Sequence, residues 1–151
     1  MESAVRAALA AAKLYTDGRS YSLVGLPCEV LPRINELLNS PPPFWTIMAD
    51  KDELTLLIPS DTWLTYAERL TLGQVLPHVV AGYRLITLDV VLPPNLFGFL
   101  VHIARPLADA AIPILAFSAY TRDHLLVPND RFKAAWSILE RLIQAARTEV
   151  V

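Results

Sequence analysis

The side chains best suited to chemistry in this 151-residue chain are gathered in one short stretch, Ser118-Ala119-Tyr120-Thr121-Arg122-Asp123. A carboxylate, three hydroxyls and a guanidinium sit there beside the most apolar part of the sequence. Such a set suits recognition of a small polar molecule. Asp123 can accept an ammonium or another cationic group, a charge-assisted hydrogen bond that contributes about 1.5–3 kcal/mol. Ser118, Tyr120 and Thr121 are candidate supports for it. A second candidate is Asn95-Leu96-Phe97-Gly98, read as a helix start, where unsatisfied backbone N–H groups and the helix dipole favour an anion. Asn95 is expected to cap this helix, and Gly98 either to let a ligand approach the backbone or to allow close helix packing. The candidate ligand-binding residues are therefore Asn95, Leu96, Gly98, Ser118, Tyr120, Thr121 and Asp123. An aspartate in such a turn can equally be there for the turn itself.

Other chemistries find no support in the residue pattern. No Gly-x-Ser-x-Gly, phosphate loop, dinucleotide fingerprint or paired-carboxylate motif occurs, so no catalysis and no cofactor are expected. His78, His102 and His124 lack metal-ligand spacing. Asp50-Lys51-Asp52-Glu53 lacks the glycine and the distal glutamate of a calcium loop and reads as a solvated hairpin turn. The single cysteine, Cys28, excludes an internal disulfide and any multi-cysteine metal site.

Composition narrows the partners. Apolar residues make up 54% and charged ones 19%, with a mean hydropathy of +0.39, so some apolar surface is expected to be covered in an oligomer, a homodimer or a complex with another protein. A net charge of −2 with scattered lysines and arginines argues against nucleic acid. No secretory leader is recognised and no apolar run nears the roughly 20 residues of a membrane span. A soluble, cytoplasmic protein is expected.

The elements that must position the polar turn lie in Tyr83 to Pro128. They read as a strand, a helix from Asn95 with Leu96, Leu100, Ile103, Leu107 and Ala111 as its stripe, a strand over Ile112 to Ala119, and a strand over Asp123 to Val127. Asp130 to Arg147 follows as an amphipathic helix. Earlier in the chain, Glu2 to Tyr15 reads as an Ala-rich helix whose thin stripe marks an accessory element, ended at Gly18. Tyr21 to Leu26 is a strand and Leu31 to Leu38 a short helix. Phe44 to Ala49 and Leu54 to Ile58 form a hairpin, and Pro59-Ser60-Asp61 opens a helix. Leu72 to Ala81 is an irregular linker or a strand at Val79-Val80.

The two halves echo each other. Tyr21-Ser22-Leu23-Val24 parallels Tyr83-Arg84-Leu85-Ile86, and Leu56-Leu57-Ile58-Pro59-Ser60-Asp61 parallels Leu125-Leu126-Val127-Pro128-Asn129-Asp130. Each copy reads β-α-β-β-α, a split βαβ unit without its last strand. That leaves a sheet edge to be filled. Val79-Val80 or Tyr83 to Val91 can fill it in the first copy; in the second only Thr148 to Val151 remain, so strand exchange or chain pairing is expected.

The second copy, with Leu96-Phe97-Gly98, Pro106-Leu107-Ala108, Ile112-Pro113-Ile114, Ser118-Ala119-Tyr120, Asp123 and Asn129-Asp130, resembles tandem ACT-domain proteins, specifically the small ones related to the CASTOR arginine sensors. Pro93-Pro94-Asn95 departs from the Asp-Phe-Ser common in that loop. The resemblance implies an α+β fold of two ferredoxin-like βαββα units, residues 20–81 and 82–151 after an N-terminal segment 1–19, packed with a shared or exchanged strand. It further implies a non-catalytic regulatory protein binding a small molecule, often an amino acid, at a unit or chain interface. The competing reading is a structural interaction module of the same fold without a ligand.

Overall fold

Backbone pairing decides how this chain is built. The computed structural model describes residues 3–70 and 75–148. The fold is α+β with antiparallel strand pairs, and the chain divides into two units, Arg19–Tyr83 on the one hand and Met1–Gly18 with Arg84–Val151 on the other.

In the unit Arg19–Tyr83, strand β2 (Ser20–Leu26) pairs along its length with β4 (Leu54–Pro59), from Tyr21 opposite Pro59 to Leu26 opposite Leu54. Strand β3 (Thr46–Ala49) takes the other side of β4. With a side-chain period of two, Val24, Leu26, Leu54, Leu56 and Ile58 all turn to one face. There they pack with Val30, Ile34, Leu37, Trp63 and Tyr66 from a 3-10 turn (Cys28–Arg33), the short helix α2 (Asn35–Asn39) and helix α3 (Ser60–Arg69). The expected helix over Leu31 to Leu38 is thus broken in two. Pro32 lies inside the first turn, and proline supplies no N–H to a helical ladder. Leu31 and Leu38 end up exposed, and Val30 takes a core place instead. Part of the Leu72 to Ala81 segment lies outside the described residues; the strand β5 (His78–Asp89) begins at its far end and lies next to β2. Gly25 faces His78 there, and a Cβ added at the glycine would stand 3.6 Å from the histidine Cβ, an ordinary van der Waals contact.

In the other unit, the last part of β5 is flanked by β7 (Asp123–Pro128), and β7 by β6 (Leu115–Ser118). Helix α4 (Phe99–Asp109) and helix α5 (Phe132–Thr148) cover one face, burying Ile86, Leu88, Leu125 and Val127 against Phe99, Ile103, Leu107, Ala135 and Leu139. Ile103 and Leu107 are buried as expected and Leu96 packs half-buried against the same core, while Phe99 takes the core place expected of Leu100, which is exposed.

The N-terminal segment is the largest departure from expectation. Helix α1 (Ser3–Ala11) is followed by strand β1 (Lys13–Tyr15), paired antiparallel with the end of β5: Lys13 opposite Asp89, Leu14 opposite Leu88, Tyr15 opposite Thr87. Val5 and Leu9 are buried in the same core as Ile86 and Leu107. A thin apolar stripe was enough because α1 lies on the largely small-residue surface of α5, where Ala135 and Ala146 are fully buried. Arg147 on α5 secures the junction. Its Nε donates to the carbonyl of Ala10 and its Nη2 to that of Ala12, each at 3.0 Å, meeting C-terminal carbonyls that α1 cannot satisfy itself. The missing edge strand of the second copy thus comes from the front of the chain.

Ile112 is the other reassignment. Its N–H donates to Leu107 O and that of Ala111 to Ala108 O, both at 2.9 Å, while Ala111 has φ 53°. These bonds form a Schellman cap on α4, with buried Ile112 as its hydrophobic partner. Cap and Pro113 together delay the strand to Leu115. An alanine in the left-handed region is strained. Ala111→Gly is expected to raise stability by about 1 kcal/mol, and Arg147→Ala to lower it by about 1–2 kcal/mol; urea denaturation of each variant measures both.

Candidate functional site

The polar turn and the start of α4 do come together. Pro94 and Asn95 are the central residues of a turn closed by Leu96 N–H to Pro93 O at 2.9 Å, so Asn95 does not cap the helix. The helix begins four residues later, after Gly98 in the left-handed region at φ 84°. A Cβ at Gly98 would meet no atom within 4 Å, so the glycine serves the backbone angle and not close packing. The first bond of the helical ladder is His102 N–H to Gly98 O, 3.2 Å. The N–H groups of Phe99, Leu100 and Val101 precede that ladder, at the positive end of the dipole.

Across from them lies the β6–β7 turn. Ala119 N–H donates to Arg122 O at 2.9 Å, and Leu92 N–H to Thr121 O at 2.7 Å, which ties the loop before α4 to the turn. Between loop and turn is a cavity of about 270 Å³ lined by Leu92, Pro93, Pro94, Leu96, Gly98, Phe99, Leu100 and all six residues from Ser118 to Asp123. Six of the seven candidate residues line it. Asn95 does not, because the turn carries it away. Tyr120 stands at the mouth, 93% exposed.

Asp123 is the notable group. It is 8% exposed, one of three buried polar residues among those described, and Ser118 Oγ donates to its Oδ1 at 2.6 Å. The first copy shows that the fold does not need this pair. There the same two-strand register sets Ala49 opposite Leu54, where β6 and β7 set Ser118 opposite Asp123. Both hairpins close with the same turn bond, Asp50 N–H to Glu53 O at 3.0 Å in the first copy. A buried carboxylate costs desolvation that a leucine does not, and the Ser118 hydroxyl offsets part of that cost.

Two features lay outside the candidate set. Arg122 is anchored by Asp89 Oδ1 at 2.5 Å from Nη1 and by Thr121 Oγ1 at 3.3 Å from Nε. Asp89 is the residue opposite Lys13 in the β1–β5 register. Thr87 Oγ1 and His124 Nδ1 lie 2.9 Å apart. The repeat carried the signal: Thr87 and His124 stand where Gly25 and Thr55 pair in the first copy. Asp50 in the first copy accepts from the N–H groups of Asp52 and Glu53, at 2.7 and 2.9 Å, bonds that hold its carboxyl below the ordinary value; that stretch is a hairpin turn. Among the described residues no group of histidines, cysteines and carboxylates is placed to hold a metal ion, and no helix is long and apolar enough to cross a membrane.

Residues 79–141, which contain the cavity and its polar turn, match the ACT domain family. Solved structures extend the likeness over most of the chain. A Vibrio cholerae protein of unknown function, described as a possible transport protein, superposes with a TM-score of 0.69 at 17% identity, covering 93% of this chain and 96% of its own. An Agrobacterium tumefaciens protein gives 0.63 at 20% identity, with 87% and 89% covered. The regulatory subunit of aspartate kinase from Thermus flavus gives 0.66 at 9% identity, with 85% and 95% covered. No curated protein sequence matches the chain.

Burial and then the neighbouring Arg122 charge push the His124 imidazole below its ordinary value of 6.5, against an opposing pull from Asp123. The folded state therefore favours the neutral ring. Its contribution is present above the unfolded value and is lost as pH falls through the lowered folded one. Urea denaturation at stepped pH is expected to show stability declining below about pH 6.5, with a weaker decline in His124→Asn.

Proposed function

We propose that this chain is a non-catalytic regulatory protein that binds a small zwitterion, an amino acid, in the cavity between the start of α4 and the β6–β7 turn. On this reading residues 20–81 and 82–151 are two ACT-like units sharing β5, with residues 1–19 completing the second. The observation that carries the reading is the buried Ser118–Asp123 pair, where the first copy has Ala49 and Leu54. Asp123 takes the ammonium, and the N–H groups at the start of α4 take the carboxylate. These two contacts are worth about 1.5–3 and 0.3–2 kcal/mol, short of the roughly 8 kcal/mol of micromolar binding. Apolar contacts with Leu92, Leu96 and Phe99, with Tyr120 closing over the ligand, supply the remainder. Tyr120, which lines the cavity, is exposed, as are Val91, Phe97 and Val101 in the neighbouring loop and helix, which supports a second copy covering this part of the surface. The match of residues 79–141 to the ACT domain supports a ligand-responsive role; the cytoplasm is the compartment we propose for it. The regulatory subunits among the similar structures point the same way.

The double variant Ser118→Ala with Asp123→Leu gives this hairpin the pair that the first copy already carries, so it is expected to fold. In a thermal-shift panel of the twenty amino acids at millimolar concentration, the wild type is expected to respond to a subset and the double variant to none. A wild type that responds to none, or a double variant that keeps the response, would leave the interaction-module reading in its place.

A further inference from the structure

Resting on that reading, we infer that the ligand is a dicarboxylic amino acid and that Arg122 selects it. The cavity is lined by one carboxylate, Asp123, and one cation, Arg122. An amino acid with a cationic side chain brings two positive groups. Asp123 can neutralise one, and the second would meet the Arg122 guanidinium and the positive end of α4 without an acceptor. A side-chain carboxylate instead meets a guanidinium already in place. Arg122 is fixed through Nη1 by Asp89 and through Nε by Thr121, and among the described residues its Nη2 has no partner. A donor held this way loses little freedom on binding. The three charged groups of the ligand would then each have a counterpart: ammonium on Asp123, α-carboxylate on the N–H groups of α4, and side-chain carboxylate on Arg122.

Calorimetric titration with glutamate, aspartate, glutamine, lysine and glutarate tests this. One of the two acids is expected to bind at least about tenfold more tightly than glutamine, the loss of one charge-assisted hydrogen bond. Lysine is expected not to bind, and glutarate, which lacks the ammonium, to bind far more weakly than glutamate. Arg122→Gln is expected to remove the preference for the acid while leaving glutamine affinity within about threefold. Equal affinity for acid and amide, binding of lysine, or glutarate as good as glutamate would overturn the inference. Should the variant fail to fold, the wild-type ranking decides alone. If some neutral amino acid binds and the acids do not, the inference falls while the binding reading stands. If none of the twenty binds, both fall.

Discussion

The pairing of Lys13–Tyr15 with Thr87–Asp89 is the contact on which the site-bearing unit depends. A β-α-β-β-α segment ends with a row of unpaired backbone groups on its first strand, and leaving them unpaired inside a packed unit costs more than ordering three more residues. Once β1 is in place, the end of β5 is fixed from both sides. Asp89 is then held where it can anchor Arg122, and the loop that leaves β5 is set on its path toward Leu92 and the polar turn. Helix α1 and Arg147 serve the same end, since they hold β1 in register.

Much of the hairpin geometry was legible in the sequence because it rests on local, periodic signals. Alternating apolar residues in Leu54 to Ile58 and Leu125 to Val127, each followed by proline and a polar helix start, gave strand, register and helix in one reading. Pro59 and Pro128 indeed adopt nearly the same backbone angles, φ −53° and −55°. The departures have a common cause in tertiary contact. Lys13-Leu14-Tyr15 carries good helix formers, and only the waiting edge of β5 makes it a strand. Ile112 looks like a strand residue until the cap on α4 claims it. Asn95 looks like a helix cap until Pro94 recruits it to a turn.

The candidate site was legible as a set of residue types but not as a geometry. Ser118 and Asp123 stood out as polar residues in apolar surroundings, and the structure joins them. Arg122 lay in the same stretch, yet its importance rests on Asp89, distant in sequence, and that relation follows only from strand order. The two copies make the comparison internal to one molecule. The two hairpins share register and turn bond, and they differ in setting Ser118 opposite Asp123 where the first sets Ala49 opposite Leu54.

The chain order of the two units has a consequence for synthesis. Arg19–Tyr83 is contiguous, so its strands are all present once β5 has begun, and its pairings are short-range. The other unit is assembled from Met1–Gly18 and Arg84–Val151, and β1 has no strand to pair with until β5 is complete. During vectorial synthesis α1 and β1 therefore precede their partners, and Val5, Leu9 and Leu14 have no core to enter until β5 and the elements after it have been made. The edge strand of the unit that carries the proposed site is thus made early and paired late.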